Sequence, residues 1–177
     1  MSELWLSLTD IPEQGQEYFY SEQNVWTGPI EEFELPYAII DPIQARVFVL
    51  LREKGCLISG GLNGRISLPC SRCAEDVFFE FEQKINIFEL LPEEKNTEDF
   101  FGPEFLRWNN DNLELNIGGI LWEQFILSLP DKPLCNEGCM GICPYCGQNK
   151  NSQFCNCIRE KEDPRMEIFR HLKVKKD

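Results

Sequence analysis

The sequence predicts an α+β chain: a mainly antiparallel β-meander or barrel-like N-terminal domain, one or two helices, and a C-terminal cysteine-rich module. Three observations carry this. Apolar and polar residues alternate with period two between Tyr37 and Leu91, and one apolar helical face lies between Leu115 and Leu129. Six of the nine cysteines fall between Cys135 and Cys157. The 177 residues are enough for one ordinary domain with a small appendage, and an apolar content of 42% is enough for a core.

Strands come first. Ala45 to Arg52 is β-branched and apolar, and Lys54-Gly55 supplies a turn. Cys56 to Ser59 continues the pattern, after which Gly60-Gly61 and Asn63-Gly64 punctuate it. Asn-Gly between apolar runs is a hairpin signal because both residues tolerate positive φ. Arg65 to Leu68 alternates, and so does Asp76 to Leu90, where Phe79, Phe81, Ile85 and Ile87 stand against Glu80, Glu82 and Lys84. Cys70 and Cys73 are thereby expected in a tight turn between two strands.

Residues 92–112 are acidic and contain Pro92, Gly102 and Pro103, so they read as a long loop. Leu115 to Leu129 reads as a helix with Ile117, Ile120, Leu121, Phe125 and Leu129 on one face and Pro130 as its stop. A short helix is expected around Arg165 to Lys173. In the first 36 residues only Leu4 to Leu8 suggests a strand, at a sheet edge. The expected organisation is a β-rich domain over 1–115, a helix and connector over 115–134, the cysteine module over 135–160, and a short basic helix and tail over 161–177.

Charge is unevenly divided. Residues 1–134 carry 9 Lys+Arg against 24 Asp+Glu, a net of −15, whereas residues 135–177 carry 8 against 6, a net of +2. An acidic body repels phosphate backbones, which excludes broad nonspecific nucleic-acid binding by it and suits a basic protein partner. No apolar run approaches the ~20 residues of a membrane helix, and Met1 to Asp10 contains no basic residue. These features predict a cytoplasmic protein without membrane association. There is no phosphate-binding loop, dinucleotide fingerprint, nucleophile elbow or metalloprotease motif. Glu75-Asp76 reads as a solvated acid pair and His171 as a surface side chain, so no catalytic residue is expected.

Nine cysteines in such a chain point to metal before disulfides. Cys143-Pro144-Tyr145-Cys146-Gly147 is a knuckle: CxxC spacing lets two thiolates chelate one ion from a tight turn, and the glycine permits the backbone that the turn needs. Cys155 and Cys157 return to complete four thiolates, the donor set of a structural zinc site. Cys135 and Cys139 with Cys70 and Cys73 form a possible second set, so one or two zinc ions are expected. Cys56, in an apolar stretch, reads as a core thiol.

Two rival readings of the cysteines have their own predictions. Cys139, Cys143 and Cys146 fit the iron–sulfur spacing of radical S-adenosylmethionine enzymes, but only 31 residues follow Cys146, too few for that active site. An iron–sulfur cluster as such predicts iron in anaerobically purified protein. Cys70-Ser71-Arg72-Cys73 has the dithiol spacing, with Arg72 placed to lower a thiol pKa. Thioredoxin-like proteins, however, put CxxC at a helix N-terminus, and here both flanks read as strands.

Four landmarks together resemble one bacterial family. They are Gly64 to Cys73, Leu127 to Cys135, Cys139 to Gly147, and the closing Asp163-Pro164-Arg165 before an apolar-basic stretch. In order and spacing, over residues 37–173, they are similar to the YceD family, the large ribosomal RNA subunit accumulation proteins. The resemblance implies a β-rich domain with a cysteine-rich C-terminal segment and a role in accumulation or maturation of large-subunit rRNA. It implies no catalytic residue. The expected partners are that rRNA or a precursor ribosomal particle, and a basic ribosomal protein held by the acidic domain. The basic end supplies the candidate phosphate contacts: Arg159, Lys161, Arg165, Arg170, Lys173, Lys175 and Lys176. Two alternatives stand beside this adaptor: a zinc-stabilised interaction module unrelated to ribosomes, and a CxxC thiol redox protein.

Overall fold

The computed structural model describes residues 4–91 and 105–157. In chain order the elements are β1 (Trp5–Ser7), β2 (Gln16–Tyr20), α1 (Asn24–Glu32), β3 (Ala38–Arg52), β4 (Gly55–Pro69), β5 (Asp76–Leu90), β6 (Leu106–Asn109), β7 (Asn112–Asn116) and α2 (Ile117–Ser128). They form two antiparallel sheets, one ordered β2-β3-β4-β5 and the other β1-β7-β6. The meander is therefore open and does not close into a barrel.

Alternation builds the large sheet. Val47 pairs with Gly60, which pairs with Ile85, and Val49 with Ile58, which pairs with Ile87. Val47, Val49, Ile58 and Ile85 are buried on the inner face, whereas their chain neighbours Arg46, Lys84 and Asn86 point outward. The expected turn near Lys54 is the two-residue loop Glu53-Lys54 between Arg52 and Gly55. No turn forms at Gly60-Gly61 or Asn63-Gly64. β4 runs straight through them, paired with β3 on one side and β5 on the other. Pairing with β5 along the whole strand, and with β3 along most of it, overrides the local Asn-Gly preference.

One irregularity matters for the core. The β3–β4 register shifts between Ile39 and Gln44, which leaves Ile43 out of the ladder although its side chain is fully buried. Gln23, just before α1, repairs this: its Nε2 donates to the Ile43 carbonyl at 2.9 Å, and the Ile43 N–H donates back to Gln23 Oε1 at 3.0 Å. One side-chain amide thus replaces both missing ladder bonds of a buried peptide.

Helix α2 starts where Asn116 Oδ1 accepts the Gly119 N–H at 2.9 Å, and it ends before Pro130. It begins at Ile117 rather than Leu115 because Leu115 is the fourth residue of β7 and is fully buried there. Its apolar face meets the large sheet through Phe125 against Phe81, with ring centroids 5.6 Å apart, and Gln83 donates to Gln124 at 3.2 Å. Phe33, just beyond α1, stacks with Trp122 of α2 at 6.3 Å. The core built around these contacts is continuous and joins both sheets and both helices.

Part of the expected long loop is structured. Leu106–Asn109 and Asn112–Asn116 form a hairpin turned by Asn110-Asp111, with Asn110 at φ 57°. Strand β1 then adds to β7 as an edge, matching the strand expected at Leu4 to Leu8. Residues 92–104, and the helix expected around Arg165 to Lys173, lie outside the described residues. Among the described residues no helix is long and apolar enough to cross a membrane.

Candidate metal centres

Eight of the nine cysteines converge as two separate cages, Cys70, Cys73, Cys135 and Cys139 in one and Cys143, Cys146, Cys155 and Cys157 in the other. In each cage all four Sγ atoms lie within 4.8 Å of one another. Cys70 and Cys139 sulfurs are 3.8 Å apart, and those of Cys73 and Cys135 3.6 Å. A disulfide needs ~2.05 Å, so no disulfide joins either pair. A tetrahedral ion with metal–sulfur bonds of ~2.3 Å has an edge of about 3.8 Å. The cages therefore have the size and donor set of a four-thiolate site, and each could hold one thiophilic ion.

Both cages are built on the same local device. At the β4–β5 turn the Cys70 N–H donates to the Glu75 carbonyl at 2.8 Å, and the Ala74 N–H donates to the Cys70 carbonyl at 2.9 Å. The second knuckle repeats this spacing, with Cys143 N–H to Gln148 at 2.8 Å and Gly147 N–H to Cys143 at 2.9 Å. The residue after the second cysteine takes a left-handed backbone in each, Ala74 at φ 61° and Gly147 at φ 74°. The second knuckle has the glycine that this conformation favours; the first carries an alanine under strain.

The first cage ties distant chain segments together. Cys70 and Cys73 come from the sheet, and Cys135 and Cys139 from the segment after α2. Around them Ser71 N–H donates to Pro133 at 2.8 Å, Ile142 N–H to Arg72 at 3.0 Å, and Arg72 Nη1 to the Cys139 carbonyl at 2.9 Å. Arg72, which the rival dithiol reading placed to lower a thiol pKa, fastens the module by its guanidinium. Outer donors reach the sulfurs as well: Cys135 N–H to Cys70 at 3.4 Å and the Asn151 amide to Cys139 at 3.3 Å. Such N–H···S contacts orient ligands and stabilise thiolate.

Electrostatics within each cage is lopsided. Burial raises the Cys70 thiol, but the backbone N–H groups of Arg72, Cys135 and Cys73 outweigh it and bring it down to about 6. Cys135 is kept protonated first by its hydrogen bond to Cys139 and then by burial, and is pushed up to about 12. The second cage repeats the split: the backbone N–H groups of Cys146 and Tyr145 hold Cys143 at about 6, while a hydrogen bond to Cys146 and burial push Cys157 to about 12. Four thiols this close share protons, and all four ionise together only around a cation.

The spacing Cys139-x3-Cys143-x2-Cys146 is divided between the two cages, so these three residues do not converge as one iron–sulfur triad. Cys56 lies in neither cage; it is buried in the core, where burial raises its thiol to about 11. The two Asn side chains that shape this region, Asn149 and Asn151, are not apparent from cysteine spacing. Asn151 accepts the Met140 N–H at 2.8 Å, and Asn149 donates to Glu75 at 3.0 Å, linking the second knuckle to the turn that carries Cys70 and Cys73. The candidate phosphate contacts Arg159, Lys161, Arg165, Arg170, Lys173, Lys175 and Lys176 lie outside the described residues.

No solved structure matches the chain. A protein of Arabidopsis thaliana named large ribosomal RNA subunit accumulation protein YCED homolog 1, chloroplastic, is 25% identical over an alignment covering 69% of this chain. The chain spans about half of that relative, 46% of its length. The family described as large ribosomal RNA subunit accumulation protein YceD matches residues 58–173, a stretch that includes every cysteine of both cages. With its knuckles, their order and this match in place, the chain belongs to the YceD family.

Proposed function

We propose that this protein is a non-catalytic factor for the accumulation or maturation of large-subunit ribosomal RNA, in which one structural zinc ion folds a cysteine module and a second fixes it onto an acidic β domain. The family match over residues 58–173 is the observation that carries the ribosomal role. A structural rather than a catalytic ion is favoured by the donor set, since two sets of four thiols fill a tetrahedral ion's coordination positions, and four-thiolate sites of this kind suit zinc. When bound, zinc would supply the charge that lets all four thiols of a cage ionise, and the cross-link that a small module needs to stay folded. The adaptor reading rests on charge: residues 1–134 at −15 suit a basic ribosomal protein, and residues 135–177 at +2 suit RNA.

The test is affinity purification of the tagged chain from its own host at low and moderate salt, with RNA and protein identified together. Enrichment of precursor large-subunit rRNA with basic ribosomal proteins is expected. A preparation lacking both would remove the ribosomal role and leave a zinc-stabilised interaction module.

A further inference from the structure

The second cage borders an open cleft of about 400 Å³ lined by Met140, Pro144, Tyr145, Lys150, Gln153 and Phe154, besides three of the cage cysteines. Its volume lies within the ~300–1,000 Å³ of small-ligand clefts. Aromatic residues beside a metal knuckle ordinarily pack against it, but here Tyr145 is 53% exposed and Phe154 is 95% exposed. Met140, at 62%, adds to the same apolar surface. Two exposed aromatics of the large sheet are covered by cations: the Arg46 guanidinium lies 4.7 Å over the Phe19 ring and that of Arg65 lies 5.4 Å over Phe78. Among the described residues no cation covers Tyr145 or Phe154.

We propose that this cleft binds single-stranded RNA by stacking unpaired bases on Tyr145 and Phe154, with Lys150 against a phosphate. The proposal rests on the ribosomal reading above and gives it a site. Base stacking on aromatic faces is the sequence-tolerant way to hold unpaired RNA. Lys150 is the sole ionic side chain in the lining apart from the thiols, so it is the one cation there that a phosphate can meet. Zinc in a four-thiolate cage would leave about two net negative charges there, so bases belong on the aromatic side and phosphate at the Lys150 rim. The rim is also set in place before binding. The Lys150 N–H donates to Gly141 at 2.9 Å, the Gln153 N–H to Asn149 at 3.0 Å, and Asn151 spans from Met140 to the Cys139 sulfur.

The test is fluorescence anisotropy of a labelled oligouridine with the zinc-loaded full chain. The double variant Tyr145→Ala/Phe154→Ala should weaken binding about tenfold or more, while Tyr145→Phe keeps it. Lys150→Gln should lower the slope of log affinity against log salt by about 0.7. These side chains are at the surface, so zinc content and circular dichroism serve as controls that each variant is folded. Wild-type chain that ignores the oligomer, or a double variant that binds it equally well, overturns the proposal. So does uridine monophosphate competing as strongly as the oligomer, which assigns the cleft to free nucleotides. A double variant that loses a basic ribosomal protein but keeps RNA also overturns it. If precursor rRNA still copurifies with wild type and double variant alike, the cleft fails and the ribosomal role stands; if it copurifies with neither, the ribosomal role itself fails.

Discussion

The two cysteine cages share one knuckle geometry yet sit in opposite environments. In the first, Cys70, Cys73 and Cys139 are buried, and its ligands come from segments more than sixty residues apart in sequence, as the contact between Cys70 and Cys139 shows. In the second only Cys143 is buried, and all four ligands come from residues 143–157. One cage therefore joins a module to a domain, and the other folds the module itself. Closing a long loop removes more disorder from the unfolded chain than closing a short one, so the same four thiols should stabilise unequally in the two places.

The largest expected effect comes from breaking the buried cage. Cys139→Ser should lower unfolding free energy by at least ~4 kcal/mol, read as a drop of roughly 8–16 °C in Tm. Cys155→Ser should act on the module alone, leaving the main thermal transition near its wild-type position. Equal losses in the two variants would contradict the division of labour.

Paired glycine substitutions sharpen the same contrast. Gly141 and Gly147 both have left-handed backbones, at φ 71° and 74°. A Cβ on Gly141 would stand 2.9 Å from the Arg72 carbonyl oxygen, whereas one on Gly147 would meet nothing within 4 Å. Gly147→Ala should cost only the conformational strain, ~1 kcal/mol. Gly141→Ala should cost about 2–3 kcal/mol, because it also pushes the module off the first knuckle. Denaturant melts of the two variants give the comparison directly.

The core thiol offers a contrast with the caged ones. Burial, with a smaller contribution from Glu89, raises Cys56 from an ordinary value of 9.0 to about 11. The folded chain therefore holds this proton more tightly than the unfolded chain. The stabilisation is complete below pH 9 and is lost as pH rises toward 11. Stability of Cys56→Ala should fall less steeply over that window than that of wild type, and parallel curves would refute the assignment.

The smallest effect concerns the alanine of the first knuckle. Ala74→Gly relieves a left-handed strain at φ 61° and should stabilise the chain by about 0.5–1 kcal/mol. A loss of stability there would mean that the two knuckles are less alike than their hydrogen bonds indicate.

Much of this was legible in the sequence where chemistry acts locally. Alternation along Asp76 to Leu90 gave a strand of the same bounds, and CxxC spacing marked both knuckles, while the partition of eight cysteines into two sets was one arrangement that spacing permitted and the fold brings together. What failed depended on partners remote in sequence. Asn63-Gly64 signalled a turn, but pairing with Gln44 on one side and Glu82 on the other keeps it extended. Helix α1 was obscured by Gly28 and Pro29, and it is held by fully buried Trp26 rather than by its own propensity. The β6–β7 hairpin did carry a local signal, the Asn109-Asn110-Asp111-Asn112 run, which its acidic surroundings masked.

Whether one chain carries two separable metal centres is decided by native mass spectrometry with elemental analysis of anaerobically purified protein. Two zinc ions are expected in wild type, with loss of one ion in Cys155→Ser while the remaining ion is held tightly, and loss of the tightly held ion in Cys139→Ser. Iron in place of zinc, or a metal-free chain whose cage cysteines are joined as disulfides, would contradict that expectation.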